Sequence, residues 1–134
     1  MTEVRARPGS PRAGGERASG LAWAEGSLWV GQYQDQKIRR IDPEPGAILR
    51  TIESNRFVTG VTWVDGELWH RTWEDGSEIR RIHPGSGEVL ARLNMPEGAG
   101  VSGLESDGAD VLYAGGGGSG VVRAVRRPGR RSGR

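Results

Sequence analysis

Gly60-Val61-Thr62-Trp63-Val64-Asp65-Gly66-Glu67-Leu68-Trp69 repeats, at a distance of 40 residues, the segment Gly20-Leu21-Ala22-Trp23-Ala24-Glu25-Gly26-Ser27-Leu28-Trp29. The echo continues downstream, where Lys37-Ile38-Arg39-Arg40-Ile41-Asp42-Pro43 returns as Glu78-Ile79-Arg80-Arg81-Ile82-His83-Pro84 with one residue added between. A degraded third copy begins at Gly103 and includes Leu112-Tyr113 and Val122-Arg123-Ala124-Val125. A period of about 40 to 45 residues with strand-like content marks β-propeller blades. The fold expected is all-β, with about three four-stranded blades, the last incomplete. Such a set is a partial propeller or half of a six-bladed ring.

Short apolar runs bounded by Gly, Asp and Pro give the strands. In the first copy they are Leu21–Ala24, Leu28–Tyr33, Lys37–Ile41 and Ala47–Ile52. The second copy gives Val61–Val64, Glu67–Thr72, Glu78–Ile82 and Val89–Leu93. The third gives Gly103–Ser106, Val111–Gly115 and Val121–Val125, with no fourth strand. Glu25-Gly26-Ser27 and Asp65-Gly66-Glu67 read as tight hairpin turns. Asp42-Pro43-Glu44-Pro45-Gly46 and His83-Pro84-Gly85-Ser86-Gly87 join the third strand of a copy to its fourth. Ile38 and Ile41, like Ile79 and Ile82, are three apart, which breaks strict alternation. A strand buried on both faces tolerates this, as does a local bulge. The Arg pair between them is expected to lay its stems along the sheet and reach water with its guanidinium groups. The Trp residues at repeated positions read as packing between blades.

Domain organisation follows from composition. Residues 1–18, rich in Arg, Pro and Gly, read as a disordered tail, 19–127 as blades (about 19–58, 59–101 and 102–127), and 128–134 as a basic disordered tail. Residues 20–120 hold nine basic and fifteen acidic side chains, whereas residues 121–134 hold six Arg and no acid. An acidic folded body argues against a nucleic-acid-binding face. No apolar run approaches the roughly 20 residues that span a bilayer, and the first residues lack the apolar centre of a signal peptide. The expectation is a cytoplasmic protein without membrane or nucleic-acid partners. The chain has no Cys, so thiolate metal sites, thiol nucleophiles and disulfides are excluded.

Closed propellers use about four to eight blades. Three blades therefore leave hydrophobic faces to be covered. A homodimer that completes a six-bladed ring, or a fragment of a longer propeller, are the two expected solutions; an open arc with free edges is the third.

The segment Arg56-Phe57-Val58-Thr59-Gly60-Val61-Thr62-Trp63-Val64-Asp65-Gly66-Glu67-Leu68-Trp69, followed by Ile79-Arg80-Arg81-Ile82 and Gly87-Glu88-Val89-Leu90, resembles propellers of the NHL, SMP-30/gluconolactonase, streptogramin lyase and glutamine cyclotransferase group. The likeness is strongest to bacterial glutamine cyclotransferase-like, or PQQ-like, propeller repeat proteins, and it covers about residues 19–127. In the cyclotransferases an acidic residue follows the aromatic at the end of the second strand; here His70 follows Trp69 and Val30 follows Trp29.

Differences between the copies mark the candidate site. His70 stands where the first copy has Val30, and it is a candidate ligand or acid–base group at the propeller mouth, against a polar strand-end residue. Glu105 replaces Ala22 and Thr62 on the inner strand, where a carboxylate faces the channel as a general base or metal ligand, against a hydrated channel residue. Trp73 has no Trp counterpart; with Arg71 and His70 it forms an aromatic and cationic cluster suited to a planar or anionic ligand, against an aromatic that packs a loop. Asn55 and Arg56 sit on the connection between blades, near the channel where propeller ligands bind, against a β-turn role for Asn55. A divalent cation, Ca or Mn, is the cofactor that Glu105 would suit. His83 reads as a turn residue, and Gly115-Gly116-Gly117-Gly118 as a hairpin loop, since no Lys-Ser/Thr follows it. Two functions fit: a repeat module binding a small molecule or partner over the central channel, or a small-molecule enzyme of the cyclotransferase, lyase or lactonase kind centred on Glu105 and His70.

Overall fold

The computed structural model describes residues 18–74, 76–96, 103–116 and 120–127, and within them the chain is all-β. Both expected tails, and Gly117 and Gly118 of the expected hairpin loop, lie outside the described residues, although Ala18 already opens the first strand. Strands β1 (Ala18–Ala24), β2 (Ser27–Gln32), β3 (Lys37–Ile41) and β4 (Ile48–Glu53) form one antiparallel meander. Strands β5 (Phe57–Val64), β6 (Glu67–Trp73), β7 (Ser77–Ile82) and β8 (Val89–Asn94) form a second in the same order. Strands β9 (Leu104–Ser106), β10 (Val111–Gly115) and β11 (Val122–Arg126) form the third. These are propeller blades, two complete and one of three strands among the described residues. No described helix is long and apolar enough to cross a membrane.

The repeated hairpins have a common cause. Glu25 and Gly26, like Asp65 and Gly66, all take positive φ. Two consecutive left-handed residues make the two-residue turn whose twist matches that of paired strands. β1 and β5 start three to four residues before the first apolar residue of the echo. The ladder slips at Ser19 and again at Thr59, between Ala18 and Gly20 and between Val58 and Gly60. Ser19 Oγ donates to Val58 O at 2.6 Å and Thr59 Oγ1 to Arg71 O at 3.2 Å, so each bulge is fixed by its own hydroxyl. A second slip recurs at Leu49 and Leu90, and both side chains turn out to solvent.

The innermost strands set how the blades meet. β1 lies against β5, and β5 against β9. The contact is close because each strand carries a glycine where the next backbone passes. A Cβ on Gly20 would stand 2.8 Å from Val61 N, and one on Gly60 would stand 2.8 Å from Leu104 N. Behind this seam, Ala24, Trp29, Ile38 and Ile52 of the first blade pack with Val58, Val61, Leu68 and Ile82 of the second. Val64, Trp69 and Ile79 of the second blade pack with Leu104, Leu112 and Ala114 of the third. Ile79 and Ile82 thus serve opposite faces of one strand, which is why they sit three apart.

Two expectations change. The first Arg of each pair, Arg39 and Arg80, is buried rather than hydrated. Arg39 Nε donates to Gln32 Oε1 at 2.9 Å, and Arg80 to Glu78 and Asn55. Only the second members stay near water: Arg40 lies 5.3 Å over the Trp29 ring and Arg81 bonds Glu67 at 3.0 Å. The repeated Trp residues also divide. Trp29 and Trp69 are buried between blades and Trp63 meets Trp29 at 5.5 Å, whereas Trp23 is exposed because none of the described blades covers its side of the first sheet.

The third blade is locked to the second by Arg127. Its buried guanidinium pairs with Asp65 and Glu67, each at 2.9 Å, while its backbone N–H bonds Asp110 O at 2.6 Å. One basic residue of the C-terminal run is therefore part of the core.

Candidate functional site

A cleft of about 210 Å³ opens between the first two blades. Its first-blade wall is Ile52, Glu53, Ser54 and Asn55, and its second-blade wall includes His70, Arg80, Ile82, Val89 and Arg92. The sheet register explains how the second wall arises. Val61, His70, Arg80 and Arg92 are successive cross-strand partners over β5, β6, β7 and β8, so they form one row on the face turned to the first blade. The same row in the first blade reads Leu21, Val30, Arg39 and Thr51. In the third it reads Leu104, Ala114 and Arg123. The β-strand Arg is common to all three, but His70 and Arg92 are particular to the second blade.

His70 is fully buried, and neither of its ring nitrogens has a hydrogen-bond partner among the described residues. Burial, reinforced by the positive charge of Arg80, pushes its pKa from 6.5 down to about 3. The imidazole is therefore neutral across the physiological range and presents one N–H donor and one acceptor. Arg80 is held in place by Glu78 Oε1 at 2.7 Å and by Asn55 Oδ1 at 2.8 Å. Asn55, singled out from sequence, thus anchors the cleft's cation across the blade junction. Arg92, directly opposite Arg80, is exposed.

The remaining sequence candidates are placed elsewhere. Strand alternation turns Arg71 away from His70, toward the third blade. There its guanidinium donates to Ser77 Oγ at 3.1 Å, to Gly103 O at 3.4 Å and to Gly115 O. Burial and the nearby Arg123 hold it below its ordinary pKa. Arg71 is a joint between blades, not part of a cluster with His70. Arg56 is engaged in holding the β6–β7 turn, through Thr72 Oγ1 at 3.2 Å, Glu74 O, and Gly76 O at 2.9 Å. Trp73 ends β6 opposite Phe57, partly exposed, and Phe57 itself stacks on Tyr33 across the junction at 4.7 Å.

Glu105 does lie on the innermost strand of its blade. Its Oε1 accepts from Thr62 Oγ1 at 2.8 Å and from Ser106 N at 2.9 Å. Thr62 and His70 occupy opposite faces of the second sheet, because Val61, not Thr62, is the partner of His70. Glu105 and His70 are therefore not brought together. Among the described residues no three His, Asp or Glu side chains converge to hold a metal ion. His83 serves its turn: Nδ1 accepts from Gly85 N at 2.9 Å and Ser86 N at 3.1 Å, much as Asp42 Oδ1 accepts from Glu44 N at 3.0 Å.

Arg80 and Arg92 were missed in the sequence. The signal was present in the pairing of β7 with β8, which sets Arg92 opposite the buried Arg80, where the first copy sets Thr51 opposite Arg39 and carries its own Arg pair, Arg40 and Arg50, on the other face. Residue-by-residue comparison of copies does not register it, because Arg80 matches Arg39.

No known protein family matches the sequence, and no curated protein is significantly similar to it. Solved structures do match the fold. BamB from Moraxella catarrhalis aligns over 91% of this chain and 38% of its own at 16% identity, with a TM-score of 0.62. Myxococcus xanthus glutaminyl cyclase aligns over 87% of this chain and 50% of its own at 20% identity, with a TM-score of 0.68. U3-55K aligns over 83% of this chain and 34% of its own at 17% identity, with a TM-score of 0.66. The chain thus spans about a third to a half of these neighbours, and at such identities the likeness concerns the propeller fold alone.

Proposed function

We propose that the chain is a propeller module that binds a small organic anion, such as a short-chain carboxylate, in the cleft between its first two blades. The observation that supports this most is the row His70, Arg80 and Arg92. Like charges directly opposite across a sheet are destabilising. A buried imidazole with both nitrogens unsatisfied costs on the order of 1–3 kcal/mol. A carboxylate relieves both defects, since its oxygens accept from the guanidinium groups and from the imidazole N–H. Ile52, Ile82 and Val89 supply an apolar wall for a short hydrocarbon body. The cleft far exceeds the roughly 10–15 Å³ that admits one water. It falls below the ~300–1,000 Å³ of pockets for drug-sized ligands. That range selects a small ligand.

This reading moves the site from the central channel to the blade junction. It assigns His70 the role of neutral donor, not acid or base, and gives no turnover role to Glu105. The test is NMR titration of ¹⁵N-labelled imidazole with butyrate and with its neutral isostere butyramide. Butyrate should shift the His70 nitrogens saturably, and the exposed-site variant Arg92→Gln should weaken this at least tenfold. Equal responses to the two compounds, or unchanged butyrate binding by Arg92→Gln, would overturn the proposal.

A further inference from the structure

The glycine just before β9 differs from its two equivalents. Gly20 and Gly60 each abut the next blade's backbone, yet a Cβ on Gly103 would meet no atom of the described residues within 4 Å. The same position in the repeat is kept small at a place where smallness serves no contact among the described residues. The side chains around it tell the same story. Trp29 and Trp69, at 1% and 0% exposure, face the blade that follows them; their register equivalent in the third blade, Tyr113, is 43% exposed. Ile38 and Ile79 are fully buried in the same two interfaces, while their equivalent Val122 is 66% exposed.

The opposite end of the chain carries the complementary surface. Val61 and Trp63 project from β5 onto the first blade, Val61 being 2% exposed and Trp63 meeting Trp29. Their equivalents on β1, Leu21 and Trp23, are 63% and 64% exposed. Four large apolar side chains are thus uncovered, two on each outer face, at the four positions that the internal interfaces bury.

We infer that two copies of this chain pack head to tail, the third blade of each against the first blade of the other, closing a six-bladed ring through two identical junctions. In each junction Gly103 of one copy receives the Gly20–Leu21 backbone of its partner, as Gly60 receives Gly103–Leu104 within the chain. Tyr113 meets the partner's Trp23 as Trp29 meets Trp63, and Val122 meets the partner's Leu21 as Ile38 meets Val61. The occupant is a second copy because the covering surface required by one face is present, residue for residue, on the other. Six blades also fall within the range of about four to eight in closed propellers. A heterologous contact of this kind ends in a ring only if its rotation closes; otherwise it builds open polymers.

Sedimentation equilibrium of the whole chain and of two variants tests the junction. The unmodified chain should sediment at twice its 14.4 kDa mass. Gly103→Ala and Val122→Glu should sediment as single chains while retaining the wild-type circular dichroism, since neither position packs against the described residues of its own chain. A monomeric wild-type chain, an open series of higher oligomers, or a dimer that survives both substitutions would each overturn the inference.

Discussion

Replacing Gly60 with alanine separates the glycine seam from any general tolerance of small residues. Gly60 does not adopt a positive φ, so alanine suits its backbone conformation. The difficulty is space. The added methyl would lie 2.8 Å from Leu104 N, 3.1 Å from Leu104 Cβ and 3.2 Å from Gly103 C. These are mostly backbone atoms of a packed strand, which cannot rotate aside, so β9 must move off β5. Overpacking of this kind costs about 1–3 kcal/mol. Reduced freedom of the unfolded chain returns about 0.4–1 kcal/mol. The net loss is about 1–2 kcal/mol, or a melting point lower by ~3–8 °C for a domain of this size. Gly103→Ala is the control, because the same substitution at the equivalent position meets no atom of the described residues and should leave the isolated chain's stability unchanged or slightly higher. Urea unfolding followed by Trp fluorescence, at protein concentrations low enough to keep chains separate, reads both. If Gly60→Ala and Gly103→Ala unfold at the same midpoint, the blades do not meet at this seam.

Three further outcomes follow from the packing and the cleft. Arg127→Met removes a buried cation bonded to Asp65 and Glu67, and urea unfolding should show a loss of about 2–3 kcal/mol, with Arg127→Lys recovering only part of it. His70 has a folded pKa near 3 against 6.5 unfolded, so only the unfolded chain takes up this proton between those values. Its contribution is constant above pH 6.5 and declines as pH falls toward 3, by at most about 1.4 kcal/mol per pH unit. His70→Val, which copies Val30, should therefore flatten the stability profile between pH 6.5 and 3 and match or exceed the wild type at pH 7; parallel profiles would contradict the burial argument. Ser19→Ala and Thr59→Ala each remove a hydroxyl that fixes a bulge, and both should lower stability by about 1 kcal/mol, read by thermal unfolding.

The fold was legible because the 40-residue echo repeats whole hairpins, turns included. Glu25-Gly26 and Asp65-Gly66 announced their turns, and the spacing of the Ile pairs left a strand buried on both sides and a local bulge as its two readings. Strand starts were not legible at β1 and β5. There the ladder runs on through Ser19 and Thr59, whose hydroxyls bond backbone and leave no apolar pattern. The site was legible in part. Comparing copies found His70, and the blade connection pointed to Asn55. It misplaced Arg71 and Arg56, since an Arg that bonds carbonyls of a neighbouring turn or blade has the same sequence signature as one awaiting an anion. Arg92 escaped because its meaning lies in standing opposite Arg80, and the bulge at Leu90 sets that register. Glu105 was placed on the correct strand, but its bond to Thr62 puts it across the sheet from His70.

The stacking of blades, within the chain and between copies, is most directly tested by an isotope-filtered NOE experiment on a one-to-one mixture of labelled and unlabelled chains. Within one chain, the Trp29 and Trp63 indoles lie 5.5 Å apart and should give intramolecular cross-peaks. The account predicts that the filtered spectrum, which records only contacts between copies, shows Trp23 against Tyr113. A filtered spectrum without that cross-peak would contradict the head-to-tail ring.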